Sequence, residues 1–424
     1  MDLFHAFTVL IVLSAIFAYI NHRYLKLPTT IGLMLIALLT SLGLVIVGQF
    51  NTSVIEQAQT LVGSVDFSKV LMEVMLSFLL FAGALHVDTP TLAKERTPII
   101  IFATMGVTAS TFMIGTAMYF ILGWLGLGVD YIYCLLFGSL ISPTDPIAVL
   151  SILKSAKVPK NLEVKIAGES LFNDGVAVVV FLTLFQMASQ GVENTTVLDI
   201  IELFAVEAVG GVVFGLGLGW ICYKLMISID NYVVEVLISL AIVMGGYALA
   251  AYLHTSGPLA VVVAGLVMSA RGREFAMSDL TRDYLDKFWE LIDEVLNAVL
   301  FVLIGLEVLI LTFEMSYILA GLIAIVVALT ARLISVGLPI SLMKLKRDFI
   351  PNTILILTWG GLRGGISVAL SLSLTPDMGR DLFVTITYVV VVFSILVQGL
   401  TVKKLVKQEV VKEGTVENNY LNTY

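Results

Sequence analysis

Apolar stretches long enough to cross a lipid bilayer, separated by short polar or charged breaks, follow one another along nearly the whole chain. A hydrocarbon core of about 30 Å takes roughly 20 apolar residues in helix. Such segments fall near 3–20, 29–48, 68–87, 99–123, 131–153, 166–188, 200–227, 233–253, 257–270, 288–312, 316–343, 351–374 and 380–402, thirteen in all. The runs are continuously apolar and do not alternate with a period of two, which disfavours a β-barrel. The expected fold is therefore an all-α polytopic membrane protein. The first span follows Met1 and Asp2 with no basic stretch before it and no small-residue cleavage site after it, so a retained helix is expected, not a signal peptide. A short polar tail, 403–424, follows the last span.

Composition agrees with the pattern. The 424 residues are 58% hydrophobic and only 13% charged, against about a quarter charged in soluble domains. Placement of charge says more than the net −8. Of the 24 Lys and Arg, all but Lys69, Arg380, Arg332 and Arg363 lie in the odd-numbered loops and the tail. Positively charged loops stay in the cytoplasm, so the N-terminus is expected outside and the C-terminus inside. No basic cluster is large enough to hold nucleic acid, and no nucleotide fingerprint or resident-metal spacing occurs. Neither an enzyme nor a cofactor is expected. Cys134 and Cys222 sit inside apolar runs and read as buried small hydrophobes.

Ionisable residues at bilayer depth are expensive and mark pathways or pairs. Five stand out: Asp145 in Ser142-Pro143-Thr144-Asp145-Pro146, Glu169 and Asp174 in Gly168-Glu169-Ser170-Leu171-Phe172-Asn173-Asp174-Gly175, Arg332, and Arg363 among Gly360, Gly361, Gly364 and Gly365. Three acids face two bases, which leaves one carboxylate for a proton or a monovalent cation to complete. Pro143 and Pro146 lack the amide hydrogens that a continuous fifth helix needs, and the glycines around Arg363 interrupt the twelfth. Broken helices in hydrocarbon imply a polar cavity. Spans five and twelve are seven apart, so two six-helix units (about 1–188 and 233–402, linked by a helix at 200–227) would be inverted repeats whose broken helices cross at the bilayer midplane. On the sixth span Glu169 and Asn173 share a face, while Asp174 is turned by roughly 100°. Glu169 is thus expected to hold an arginine and Asp174 the transported ion. Asn173, Thr144 and Asp145 add the hard oxygen donors that a small desolvated cation prefers.

These motifs, in this order and over nearly the whole chain, resemble the sodium/proton exchangers of the NhaP and NHE type. The resemblance implies that Asp174 carries both ion and proton, with Na+ near Asp174, Thr144 and Ser170. It implies a structural ion pair between Glu169 and Arg363, with Arg332 a further core charge. It also implies a homodimer in the bacterial or archaeal inner membrane, and an elevator-like movement of a core bundle against a dimerisation bundle. Asn173 before Asp174 matches the electroneutral members. One departure is Leu79-Leu80-Phe81-Ala82-Gly83-Ala84, which has Ala82 where many relatives carry an acid. Glu290, Asp293 and Glu294 open the tenth span on the expected cytoplasmic side and read either as a solvated face or as a cation-attracting funnel. The competing readings are potassium/proton antiport, a cation channel, and an intramembrane hydrolase. No repeated filter loop supports the channel, and no nucleophile with its base supports the hydrolase.

Overall fold

The computed structural model describes residues 3–63, 67–145, 160–191, 197–312, 314–345, 349 and 352–406. Among them all regular structure is helical, as a chain in lipid requires: a helix satisfies its own backbone groups. In chain order the helices are α1 (Leu3–Ile20), α2 (Thr29–Gly48), α3 (Thr52–Gly63), α4 (Phe67–His86), α5 (Thr89–Trp124), α6 (Tyr131–Ile141), α7 (Lys160–Gln190), α8 (Val197–Ile227), α9 (Tyr232–Tyr252), α10 (Gly257–Val267), α11 (Asp279–Leu306), α12 (Met315–Met343), α13 (Thr353–Trp359), α14 (Gly365–Leu372) and α15 (Arg380–Val406).

Nine helices among the described residues are long and apolar enough to cross a membrane unaided. The other four expected spans differ for local reasons. The fifth stops at Ile141, ahead of Pro143; Pro146 and the remainder to 153 lie outside the described residues, as does the tail beyond Val406. The ninth is short. The tenth, α11, begins with a charged stretch from Asp279 to Glu294 before its apolar run. The twelfth is two half-helices, α13 and α14. An unforeseen helix, α3, packs against α2 and the turn after α11, with Gln59 Nε2 donating to the Leu309 carbonyl at 2.7 Å.

Helix starts are fixed by side-chain caps. Asn231 accepts from the amides of Val233 and Val234, Ser256 from Leu259, and Ser278 from Thr281. Packing divides into bodies. One joins α5, α6, α12, α14 and α15 through Ile114, Phe137, Ile325, Leu370 and Phe383. Another joins α4, α8, α9, α10 and α11 around Trp289, whose ring packs against Phe81 in a tilted arrangement with centroids 4.7 Å apart and whose Nε1 donates to Ser239 Oγ at 3.1 Å. The glycines of α8 serve close packing inside the chain: a Cβ on Gly215 would sit 2.9 Å from the Ala260 Cα of α10. A third cluster, with Met34, Leu303, Ile356 and Val391, ties α2 and α11 to α13 and α15.

Candidate ion-binding site

The site lies where two interrupted helices meet. α6 ends beside Pro143, and Thr144 and Asp145 continue without helical form. α13 ends at Trp359 with Gly360 as its cap, and residues 361–364 are unwound before α14 begins. The Asp145 amide donates to the Leu362 carbonyl at 2.8 Å, so the two unwound segments are hydrogen-bonded to each other. Backbone groups freed by breaking both helices thereby satisfy one another. The approach is close: a Cβ on Gly364 would meet Asp145 Cβ at 2.6 Å and Cγ at 2.7 Å. Gly364→Ala should therefore push the Asp145 carboxylate aside and lower turnover by about tenfold. Flux in proteoliposomes checks this, and wild-type turnover would mean that the crossing has slack.

Facing the crossing is α7, whose Glu169, Ser170, Asn173 and Asp174 are all buried. Thr144 Oγ1 lies 3.1 Å from Ser170 Oγ and accepts from Asn173 Nδ2 at 2.9 Å. Asn173 Oδ1 is buried without a hydrogen-bond partner among the described residues, an acceptor left available. The Asp174 and Asp145 carboxylates lie close enough for their charges to repel. Both line a cavity of about 480 Å³. Thr144, Ser170 and Asn173 do not line it; they form a hydrogen-bonded cluster behind it.

The ion pair differs from expectation. Glu169 Oε1 accepts from Arg332 Nη1, not from Arg363. The reason is steric. Arg332 reaches from α12 past the unwound segment at Gly361, where a Cβ would stand 2.7 Å from its Nε, and it also donates Nε to the Leu357 carbonyl at 3.3 Å. Arg363 instead braces its own loop: Nη1 donates to the Gly361 carbonyl at 2.8 Å, and its backbone amide donates to Ser394 Oγ at 2.8 Å. It remains within electrostatic range of both Arg332 and Glu169. The five charged residues singled out from the sequence thus gather around one crossing, with the two arginines in exchanged roles.

The cavity runs between α4 and α11 on one side and α7, the 143–145 segment and the start of α14 on the other. Glu290, Asp293 and Glu294 line it, joined by Asp88 and Glu163 and by His86, whose Nδ1 is 2.7 Å from the Ala82 carbonyl oxygen. Ala82 itself lines the cavity, so the acid that the resemblance leads one to expect at this position would face that cavity. Ser367, on the first turn of α14, also lines it. Sequence reasoning missed Asp88, Glu163 and Ser367; the first two look like ordinary loop acids, and only the polar position next to the glycine break hinted at the third.

The sodium/hydrogen exchanger transmembrane family matches residues 11–408. The chain belongs to that family. It is 50% identical over 396 residues to the Na+/H+ antiporter NhaP of Pseudomonas aeruginosa, covering 92% of each chain. It is 34% identical to the Na+/H+ antiporter NhaH of Halobacillus dabanensis, over 87% of this chain and 89% of that one. The sodium proton antiporter MjNhaP1 of Methanocaldococcus jannaschii shares the fold, with a TM-score of 0.74 at 21% identity over 96% of this chain and 99% of that one. The chain is a multi-pass membrane protein of a transporter family.

Proposed function

We propose that the chain exchanges one sodium ion for one proton, with Asp174 as the group that carries each in turn. The observation that carries this is the position of Asp174: a buried carboxylate on the cavity, beside Asp145, backed by the Thr144, Ser170 and Asn173 oxygens, while Glu169 is already neutralised by Arg332. Hard oxygen donors suit a small alkali cation. The cavity mouth is rimmed by Asp88, Glu163, Glu290, Asp293 and Glu294, a single-sign rim that concentrates cations. By the lysine and arginine distribution these ends face the cytoplasm, so this conformation opens inward.

The cavity follows a seam between two bodies of helices, which fits an elevator-like movement of the crossing past α4 and α11. The units 1–188 and 233–402 then act as inverted repeats, and two copies pair in the inner membrane. Exchange serves sodium and pH homeostasis.

With one carboxylate alternating between one proton and one cation, and both arginines permanently charged, a cycle moves no net charge. Voltage is worth about 2.3 kcal/mol per charge per 100 mV, so its effect on a charge-moving cycle is easily seen. Proteoliposomes clamped at several potentials with potassium and valinomycin should show the same sodium-driven proton flux. A flux that grows with potential would mean that a second titrating group, Asp145 first among the candidates, travels through the cycle. In the same assay, raising pH removes the competing proton, so the sodium concentration for half-maximal flux should fall until Asp174 is fully ionised. Substituting lithium and potassium for sodium tests the choice of cation.

A further inference from the structure

We infer that Glu307, with the Tyr388 hydroxyl near it, is a second cation-receiving site that serves the face of the membrane opposite the cavity. This rests on the exchanger reading above. α11 carries Glu290, Asp293 and Glu294 on the cavity, and Glu307 immediately follows its last residue. From Glu294 to Glu307 is about 20 Å along the helix axis at 1.5 Å per residue. The intervening residues, Val295 to Leu306, are apolar except for Asn297. One helix thus bears acids at both ends of an apolar barrier.

Glu307 is 2% exposed, and its Oε2 has no hydrogen-bond partner among the described residues. Tyr388 is 4% exposed, and its hydroxyl likewise has none. The two act on each other electrostatically, and Arg380 acts on Glu307 through space, with no ion pair to Glu307 among the described residues. A buried carboxylate in this state is disfavoured unless its charge is neutralised. Packing alone would be better served by leucine at this position. The group is explained if another conformation hydrates it.

The surrounding helices supply that conformation. The outer end of α11 is tied to α2 and α3: Ser41 Oγ donates to the Gly305 carbonyl at 2.9 Å, and Gln59 donates to Leu309. Tyr388 and Arg380 belong to α15, which packs with α12 and α14 in the body that carries the crossing. The electrostatic interaction of Glu307 with Tyr388 and Arg380 of α15 therefore reaches across the same seam that opens as the cavity at the other end. Between the two ends, Leu300, Leu303 and Leu306 of α11 seal against Val368 and Ala369 of α14 and Val391 of α15. When the seam closes below and opens above, Glu307 stands at the outer mouth. There it recruits a monovalent cation, as Glu290 and Glu294 do at the inner one.

The test compares sodium-driven proton flux in right-side-out and everted vesicles, with sodium added from the bath. Glu307→Gln should raise the sodium concentration for half-maximal flux about tenfold in right-side-out vesicles, the low end of what a single-sign mouth contributes, and leave everted vesicles unchanged. Glu294→Gln should give the mirror image. Tyr388→Phe should shift the same face as Glu307→Gln by less, and it decides the matter if Glu307→Gln fails to accumulate in the membrane. Wild-type behaviour of Glu307→Gln on both faces, or an equal shift on both, overturns the inference. Wild-type vesicles that exchange from neither face would instead overturn the exchanger reading beneath it.

Discussion

Asp174→Asn is expected to abolish cation/proton exchange while leaving the folded protein in the membrane. Asparagine matches aspartate in size and keeps an oxygen acceptor, so the packing of α7 against the crossing is preserved. What it loses is the ability to be neutral with a proton and negative without one. Glu169 is already committed to Arg332, and Asp145 is hydrogen-bonded into the crossing through its backbone. No other acid from α7 lines the cavity at the level of Asp174; Glu163 lies eleven positions earlier, about 16 Å along the helix. Collapse of a preformed pH gradient on adding sodium should be absent in vesicles bearing the variant, with the protein eluting from detergent as the wild type does. Asp174→Glu keeps the charge but moves it by one methylene, so weakened apparent affinity with residual turnover is expected. Persistence of exchange in the asparagine variant would move the carrier role to Asp145.

Much of this architecture is legible in the sequence because lipid imposes a blunt requirement: a long apolar run must be a helix of about the bilayer's thickness. Hence the reading of 29–48 coincides with Thr29–Gly48, and 316–343 falls one residue short of Met315–Met343. The breaks were legible too, because Pro143 and the glycines around Arg363 remove what a continuous helix needs. The choice of arginine for Glu169 was not. It depends on a contact 163 residues apart and on the gap that Gly361 leaves for a side chain arriving from another helix, neither of which is encoded in local spacing. α3 was missed because Thr52–Gly63 mixes Glu56, Gln57 and Gln59 with its apolar residues and falls below any span threshold. Glu307 drew no notice because it stands a few residues before the end of the expected span 288–312, where an acid normally reads as nearing the membrane–water boundary; its burial is tertiary, and the turn that carries it packs against α2 and α3.

The same exchange of arginines yields a stability prediction that separates the two assignments. Removing one partner of a buried ion pair strands the other charge and costs about 3–5 kcal/mol. Arg332→Ala leaves Glu169, 1% exposed, without its counter-charge. Glu169→Gln leaves Arg332 beside Arg363, two guanidiniums that repel. Each single change should therefore lower thermal stability in detergent strongly, and the double change Glu169→Gln with Arg332→Ala should lose much less than the sum, because neither stranded charge remains. Arg363→Ala should also destabilise, through loss of its hydrogen bond to the Gly361 carbonyl. Its loss should combine nearly additively with Glu169→Gln, since Arg363 feels Glu169 only through space. Melting curves of the three single and two double variants decide between the partners. Strong coupling of Glu169 to Arg363, with additivity at Arg332, would mean that the pairing in the membrane is the reverse of the one described here.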